Sequence, residues 1–346
     1  MSMKQSPVFH VRRIFQYFVF QLMILLCTFF MLLKLFWAWF RKSGRYFYVL
    51  SHKRPDIAGT WTHDHKYIKL TDVSLHYVEA GRKEQPLMLF VHGFASFWYT
   101  YKYQLHHFKQ NYHVVAIDMR GTNDSDKVEG SQNYTLPILV RDVVEVIRRI
   151  GGGKAILVGH DIGALVCWTV AEEYPELVSR LIVLNCPVPR AYLHLVCTSS
   201  RQLIALWKIF AFMFPYIPEF LFQADDYHFL GEFIRESMDK RKFTDRDLEF
   251  HKYVFSKQNG LTGPLNYFRA LAHLFPDYQF KEDLIIKPKT LILWSKNNNS
   301  LLLDGAHHSV NYCEDAHLRI VPSSCHFLHL DEPQRVNQLI DEFLKS

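Results

Sequence analysis

From about residue 60 onward the sequence predicts an α/β fold built on a mostly parallel central sheet. Three observations carry that reading. Seven short runs rich in β-branched and aromatic residues recur at 74–79, 87–91, 113–117, 155–158, 181–184, 290–294 and 317–321. Several are apolar without interruption, as strands covered on both faces must be. Helix-length segments lie between them, among them 135–150, 164–174 and 334–344, and that alternation is what parallel pairing requires. One stretch, 191–280, breaks the rhythm with aromatic-rich helical patterns, including 203–214 and 227–238, and no strong strand. An all-helical insertion between two sheet strands is expected to lie as a cap over the carboxyl edge of the sheet, where open α/β sheets place ligands.

Taken in chain order, the first element is an anchor at 14–40. Residues 14–33 read IFQYFVFQLMILLCTFFMLL, twenty residues without a charge. As a helix at ~1.5 Å per residue, the run reaches across about 30 Å of hydrocarbon. Trp37 and Trp39 follow, then Arg41, Lys42 and Arg45, which reads as an interfacial belt closing a single transmembrane helix. The run is long for a secretory leader, and no small-residue cleavage pattern follows it. Lys4, Arg12 and Arg13 precede the span and more basic residues follow it, so the positive-inside tendency tilts the globular part toward the cytoplasm. A linker at 41–59 leads into the core, which comprises 60–190 and 281–346 on either side of the cap.

Composition narrows the function. The net charge is +6 with 21% charged residues, and no nucleic-acid-binding motif accompanies it. The six cysteines form no CxxC pair, and Cys167 and Cys186 read as buried apolar residues of a reduced chain. Histidines at His63, His65, His307, His308 and His317 lack the spacing of a metal-ligand set, so no metal is expected, and the chemistry argued below requires no cofactor.

The chemistry concentrates at 155–164, AILVGHDIGA. An apolar strand runs into Gly159-His160-Asp161-Ile162-Gly163 and then a helix, the G-x-nucleophile-x-G elbow with an aspartate at its centre. The glycines leave room where strand and helix pass closely. The Ile162 N–H, at the helix start, can face an anion. Upstream, LFVHGF at 89–94 suits an oxyanion loop that presents the Phe94 N–H. Downstream, His326 follows the last strand run, in the chain order nucleophile then histidine.

Together, HGFASFWYTYKYQ (92–104), AIDMRGTNDSD (116–126), VGHDIGALVCW (158–168), LNCPVP (184–189), LTGPLNYFRA (261–270) and the surroundings of His326 resemble an α/β-hydrolase-fold epoxide hydrolase of the membrane-anchored, microsomal-type branch. That resemblance implies hydrolysis of a hydrophobic, lipid-like epoxide to a vicinal diol, with residence in the endoplasmic reticulum. Asp161 would form an alkyl ester with the epoxide carbon, and His326 would activate the water that cleaves it. Serine would give an ether with no hydrolytic exit. The resemblance also places Trp98 in the substrate cavity.

Three features depart from the family. The carboxylate that orients the histidine is replaced by Asn298 in WSKNNN, with Asp304 as the alternative acid if its loop bends back. An asparagine accepts the imidazole N–H but offers no charge, and the corresponding change in a serine protease costs roughly 10⁴ in kcat. Slowed turnover is therefore expected. Of the two cap tyrosines that would protonate the epoxide oxygen, one position reads Phe268, with Tyr267 displaced by ~100° on a helix. The other falls near Phe210–Phe212, with Tyr216 and Tyr227 as neighbours. Ala95 stands where the oxyanion loop usually has proline. A carbon–halogen hydrolase and a non-catalytic protein that binds an apolar ligand or partner through the cap are the rival readings. Intact Asp161 and His326 argue against the second.

Overall fold

The computed structural model describes residues 7–41, 52, 53, 55, 64–236, 238, 242–274 and 285–346. Most of the expected linker lies outside them. Helix α1 (Pro7–Arg41) is followed by β1 (Asp64–Lys69), β2 (Ser74–Ala80), β3 (Leu87–Val91), α2 (Lys102–Phe108), β4 (His113–Ile117), α3 (Leu136–Ile150), β5 (Ala155–His160), α4 (Ile162–Glu173) and β6 (Val178–Leu184). The cap then supplies α5 (Pro189–Thr198), α6 (Ser200–Ala205), α7 (Trp207–Phe212), α8 (Ile217–Glu236), α9 (Asp245–Ser256) and α10 (Thr262–Leu274). The chain returns with β7 (Thr290–Ser295), α11 (Asp304–Val310), β8 (Ala316–Val321), α12 (Leu328–Asp331) and α13 (Pro333–Lys345).

Eight strands form one sheet in the order β1-β2-β4-β3-β5-β6-β7-β8. The β1–β2 and β2–β4 pairs are antiparallel and every later pair is parallel. All residues of β3, β4, β5 and β7 are buried, as helical layers on both faces require. Helix α3 shows how those layers attach. Leu136, Leu139, Val140, Val143, Val144 and Ile147 fall three or four apart and turn one stripe to the core. Strand β1, DHKYIK, was absent from the sequence reading because it is an edge strand with alternating exposure, and solvated edges carry polar residues.

The cap differs in detail from its sequence pattern. The run at 203–214 breaks at Leu206 (φ −87°, ψ 6°) into α6 and α7. The helix expected at 227–238 is the second half of α8, which kinks where Ala224 to Tyr227 leave helical geometry.

Within helix α1 the 24-residue stretch Phe18–Arg41 is long and apolar enough to cross a membrane, its 18-residue window reaching a mean hydropathy of 2.3. It also packs on the cap. Phe20, Ile24, Cys27, Met31 and Leu35 are buried at helical spacing. The Phe20 ring meets Phe210 edge-on at 5.4 Å, and the Lys34 ammonium lies 4.9 Å from the Trp207 ring. The other face, with Phe29, Phe30, Phe36 and Trp37, is exposed.

Candidate active site

Strand order decides what meets at the carboxyl edge of the sheet. Strands β3 and β5 are parallel neighbours, yet the chain leaves β3 toward β4 on one side and resumes at β5 on the other. This is the switch point at which open α/β sheets bind ligands. Gly93 and Phe94 follow β3, and Asp161 follows β5.

Asp161 occupies a strained turn, φ 52° and ψ −125°, a region costly for a residue with a side chain. The neighbours tolerate no extra carbon. A Cβ on Gly163 would stand 2.2 Å from the Val91 carbonyl oxygen, and one on Gly93 would stand 2.5 Å from the Asp161 Cβ. These close approaches bring the Phe94 N–H to Asp161 Oδ2, to which it donates at 2.9 Å. His326 places Nε2 3.6 Å from Asp161 Oδ1. Burial pushes the Asp161 carboxyl up, but the facing His326 ring, the His160 ring and the Phe94 N–H outweigh it and hold the group below its ordinary value. Asp161 is a carboxylate at neutral pH.

His326 is seated from behind by two donors to its carbonyl oxygen, Asn185 Nδ2 at 2.7 Å and His160 Nε2 at 2.8 Å. Burial, followed by the neighbouring His329 and His326, drives His160 well below the ordinary histidine value, so it is a neutral donor. Asn185 also ties β6 to β7 by accepting from the Ser295 N–H at 2.8 Å.

Asn298 is the side chain at the other ring nitrogen, with Nδ2 3.4 Å from His326 Nδ1. Its Oδ1 accepts from the backbone N–H groups of Ser300 at 2.9 Å and Leu301 at 3.1 Å. Asp304 does not bend back. It is exposed at the first turn of α11.

The cavity above Asp161 and His326 has Phe94, Ile162, Leu165 and Cys186 as its floor, and Tyr192, Ile209, Phe233, Phe268 and Leu271 as its cap side. Phe268 packs edge-on against Phe94, ring centroids 4.9 Å apart. Tyr267, one residue earlier, points away, and its hydroxyl donates to the Arg120 carbonyl at 2.6 Å. Tyr216 is exposed and Tyr227 is buried, and neither lines the cavity. Trp98 corrects the expectation placed on it. It is fully buried against His65, Phe97, Tyr99 and Phe250, away from the cavity. Ala95 has φ 52°, which a proline ring cannot adopt.

Sequence reasoning missed Tyr192. It is the tyrosine of the cavity lining, and its hydroxyl makes no hydrogen bond among the described residues. Nothing in its local sequence distinguishes it from other aromatics at the start of the cap.

A parallel sheet, a helical cap and an elbow residue at the switch point define an α/β-hydrolase, and residues 86–333 match the family model for the alpha/beta hydrolase fold. Within that class the chain belongs to the epoxide hydrolases. It is 36% identical to epoxide hydrolase 2 of Caenorhabditis elegans over 91% of this chain and 89% of that protein. It is 34% identical to human epoxide hydrolase 4 over 93% and 90%. The crystal structure of the Bacillus megaterium epoxide hydrolase bound to an inhibitor superposes with a TM-score of 0.75 at 26% identity, covering 81% of this chain and all of that one. The protein is a hydrolase.

Proposed function

We propose that the protein opens an apolar epoxide through a covalent ester on Asp161 and that water then releases a vicinal diol. The observation that carries this reading is the Asp161 carboxylate at the floor of an apolar cavity, held by the Phe94 N–H at 2.9 Å with His326 Nε2 at 3.6 Å. One carboxylate oxygen attacks an epoxide carbon and the carbon–oxygen bond of the ring breaks. The ring oxygen leaves as an alkoxide that takes a proton. Tyr192 is the phenol available within the lining and acts as that acid. In the second step water adds to the Asp161 carbonyl carbon, and the Phe94 and Ile162 N–H groups face the resulting oxyanion. His326 is the base for that water, and Asn298 orients it.

The substrate is apolar, because the cavity presents mostly hydrocarbon around the carboxylate. The exposed face of α1 holds the protein at a membrane, where such a substrate dissolves. No cofactor takes part.

The test is turnover of styrene oxide and an epoxidised fatty-acid ester in ¹⁸O-water, with mass analysis of the Asp161 peptide. Label in the Asp161 carboxylate supports the ester route, because water attacks the aspartyl carbon. Label in the diol alone, with an unlabelled peptide, refutes it. Asp161→Asn abolishes the adduct.

A further inference from the structure

The contact between α1 and the cap is incomplete, and the space it leaves has two chemical halves. One is an open apolar groove of about 560 Å³ between Leu32, Leu35, Phe36 and Trp39 of α1 and Ile217 and Phe220 of α8. The other is a polar cavity of about 670 Å³ between α8, the start of α10 and the loop at 127–134. Both lie within the ~300–1,000 Å³ over which proteins take up small molecules. They are neighbours, because Phe220 and Gln223 line both. Phe220 stands one turn beyond Ile217 on the groove side and one turn beyond Tyr216 on the cavity side. The cavity proposed for epoxide capture on Asp161 shares no lining residue with either.

The groove has a defined depth in a bilayer. Its α1 residues occupy the last turns of the apolar stretch, within about 14 Å of Arg41 on a helix rising ~1.5 Å per residue. Trp39 belongs to the aromatic belt, where hydrocarbon gives way to the head-group layer. Phe36, Trp39 and Phe220 are exposed, so the groove is open on its outer side. Polarity follows the same gradient. Gln223 is the polar side chain of the groove and sits at its junction with the cavity. The Gln223 amide and the Ser131 and Thr262 hydroxyls of the cavity make no hydrogen bond among the described residues.

Charge selects the head group. The cavity matches Lys127 and Arg269 with Glu129 and Glu219, so its lining has no net charge. Both cations are already engaged: Arg269 donates to the two Glu219 oxygens at 2.8 and 2.7 Å, and Lys127 donates to the Asn123 carbonyl at 2.6 Å. An anionic head group would gain no free cation and would meet the Glu129 carboxylate. The exposed Tyr216 ring offers a face to a quaternary ammonium. Tyr216 is held at φ 66°, a left-handed conformation disfavoured for a bulky residue.

We propose that the protein binds one zwitterionic glycerophospholipid of the bilayer, of the phosphatidylcholine type, between α1 and the cap. An acyl chain lies in the groove, the ester region crosses at Gln223, and the head group occupies the polar cavity. Its ammonium lies toward Glu129 and Tyr216, and its phosphate toward the Ser131 and Thr262 hydroxyls. The inference rests on the reading of α1 as the element that holds the protein at a membrane.

The test uses the full chain, stripped of lipid in detergent, with dioleoyl phosphatidylcholine and dioleoyl phosphatidylglycerol as probes. Flotation with phosphatidylcholine vesicles reads membrane binding, and native mass spectrometry counts retained lipid. The expected result is flotation, with one phosphatidylcholine held per chain and phosphatidylglycerol held at least about 10-fold more weakly. Leu32→Trp fills the groove and Gln223→Trp closes its junction with the cavity, and each should cut retention by about 10-fold or more. Phe29→Trp, on the exposed face of α1 outside the groove, should leave it unchanged. An unaltered denaturation midpoint reports that a variant is folded, and if neither groove variant folds, the wild-type preference decides alone. Flotation without retained lipid, an equal or tighter hold on phosphatidylglycerol, full retention in both folded groove variants, or an equal loss in Phe29→Trp overturns the lipid site and leaves the membrane reading standing. Failure to float overturns both.

Discussion

Replacing Tyr192 with phenylalanine removes one oxygen from the cavity and tests which group opens the ring. The wild-type hydroxyl has no hydrogen-bond partner among the described residues, so its loss orphans nothing and folding stability should change by less than about 0.5 kcal/mol. The chemical cost should be much larger. A positioned acid contributes about 10²–10⁴ in rate, or roughly 3–5 kcal/mol at 1.36 kcal/mol per decade. Other donors in the lining compensate poorly: the Lys208 ammonium is paired with Glu236, and burial holds the Cys186 thiol far above its ordinary value. Burial, reinforced by Cys186 and Asp161, also raises Tyr192 above its ordinary 10.0. The phenol is thus protonated at neutral pH, and the alkaline limb of capture should lie above pH 10 as long as the fold survives. The assay is the single-turnover rate of Asp161 ester formation, measured apart from diol release. Phe268→Tyr in the Tyr192→Phe background should recover part of the loss, because Phe268 lines the same cavity. An unchanged capture rate in Tyr192→Phe would refute the assignment.

The remaining predictions concern the elbow, its charge and the N-terminal helix. Gly163→Ala must displace the elbow from β3 to relieve a 2.2 Å contact with the Val91 oxygen, so it should destabilise the protein by about 1–3 kcal/mol or more and abolish capture; an unaltered denaturation midpoint with full capture would contradict this. Asp161 has its pKa lowered from 3.8 in the folded chain, so its ionised form favours folding above the unfolded value, and that contribution is lost as pH falls through the lowered one. Capture should therefore stay level from pH 7 down to about 5, and an acid limb within that range would show a carboxyl that is not held ionised. Phe20→Cys with Phe210→Cys, rings now 5.4 Å apart, should cross-link in lipid vesicles if α1 stays docked on the cap; no disulfide under mild oxidation would mean that the helix stands apart in lipid.

Much of the site was legible because its signals are local. An aspartate between Gly159 and Gly163 after an apolar strand can be read from one stretch of chain, since the turn geometry is set by neighbours in sequence. The seven strand runs were legible for the same reason: burial on both faces leaves a continuous apolar record. Strand β1 left none, because its outer edge faces water. The substitutions Asn298 and Phe268 could be located by motif register, but their consequences depend on contacts across the chain.

Sequence alone therefore determined the residue types at the elbow, the apolar N-terminal helix and the order of strands and helices. Only tertiary structure decided which side chains meet. It sent Trp98 into the core, turned Tyr267 toward Arg120, brought Tyr192 from the first cap helix to the cavity, and left Asp304 in solvent. It also turned the amide of Asn298 toward His326 through two backbone N–H groups beyond β7. The physical reason is directional: a sequence records which groups a residue carries, while the direction a hydrogen bond points depends on what the fold sets opposite it.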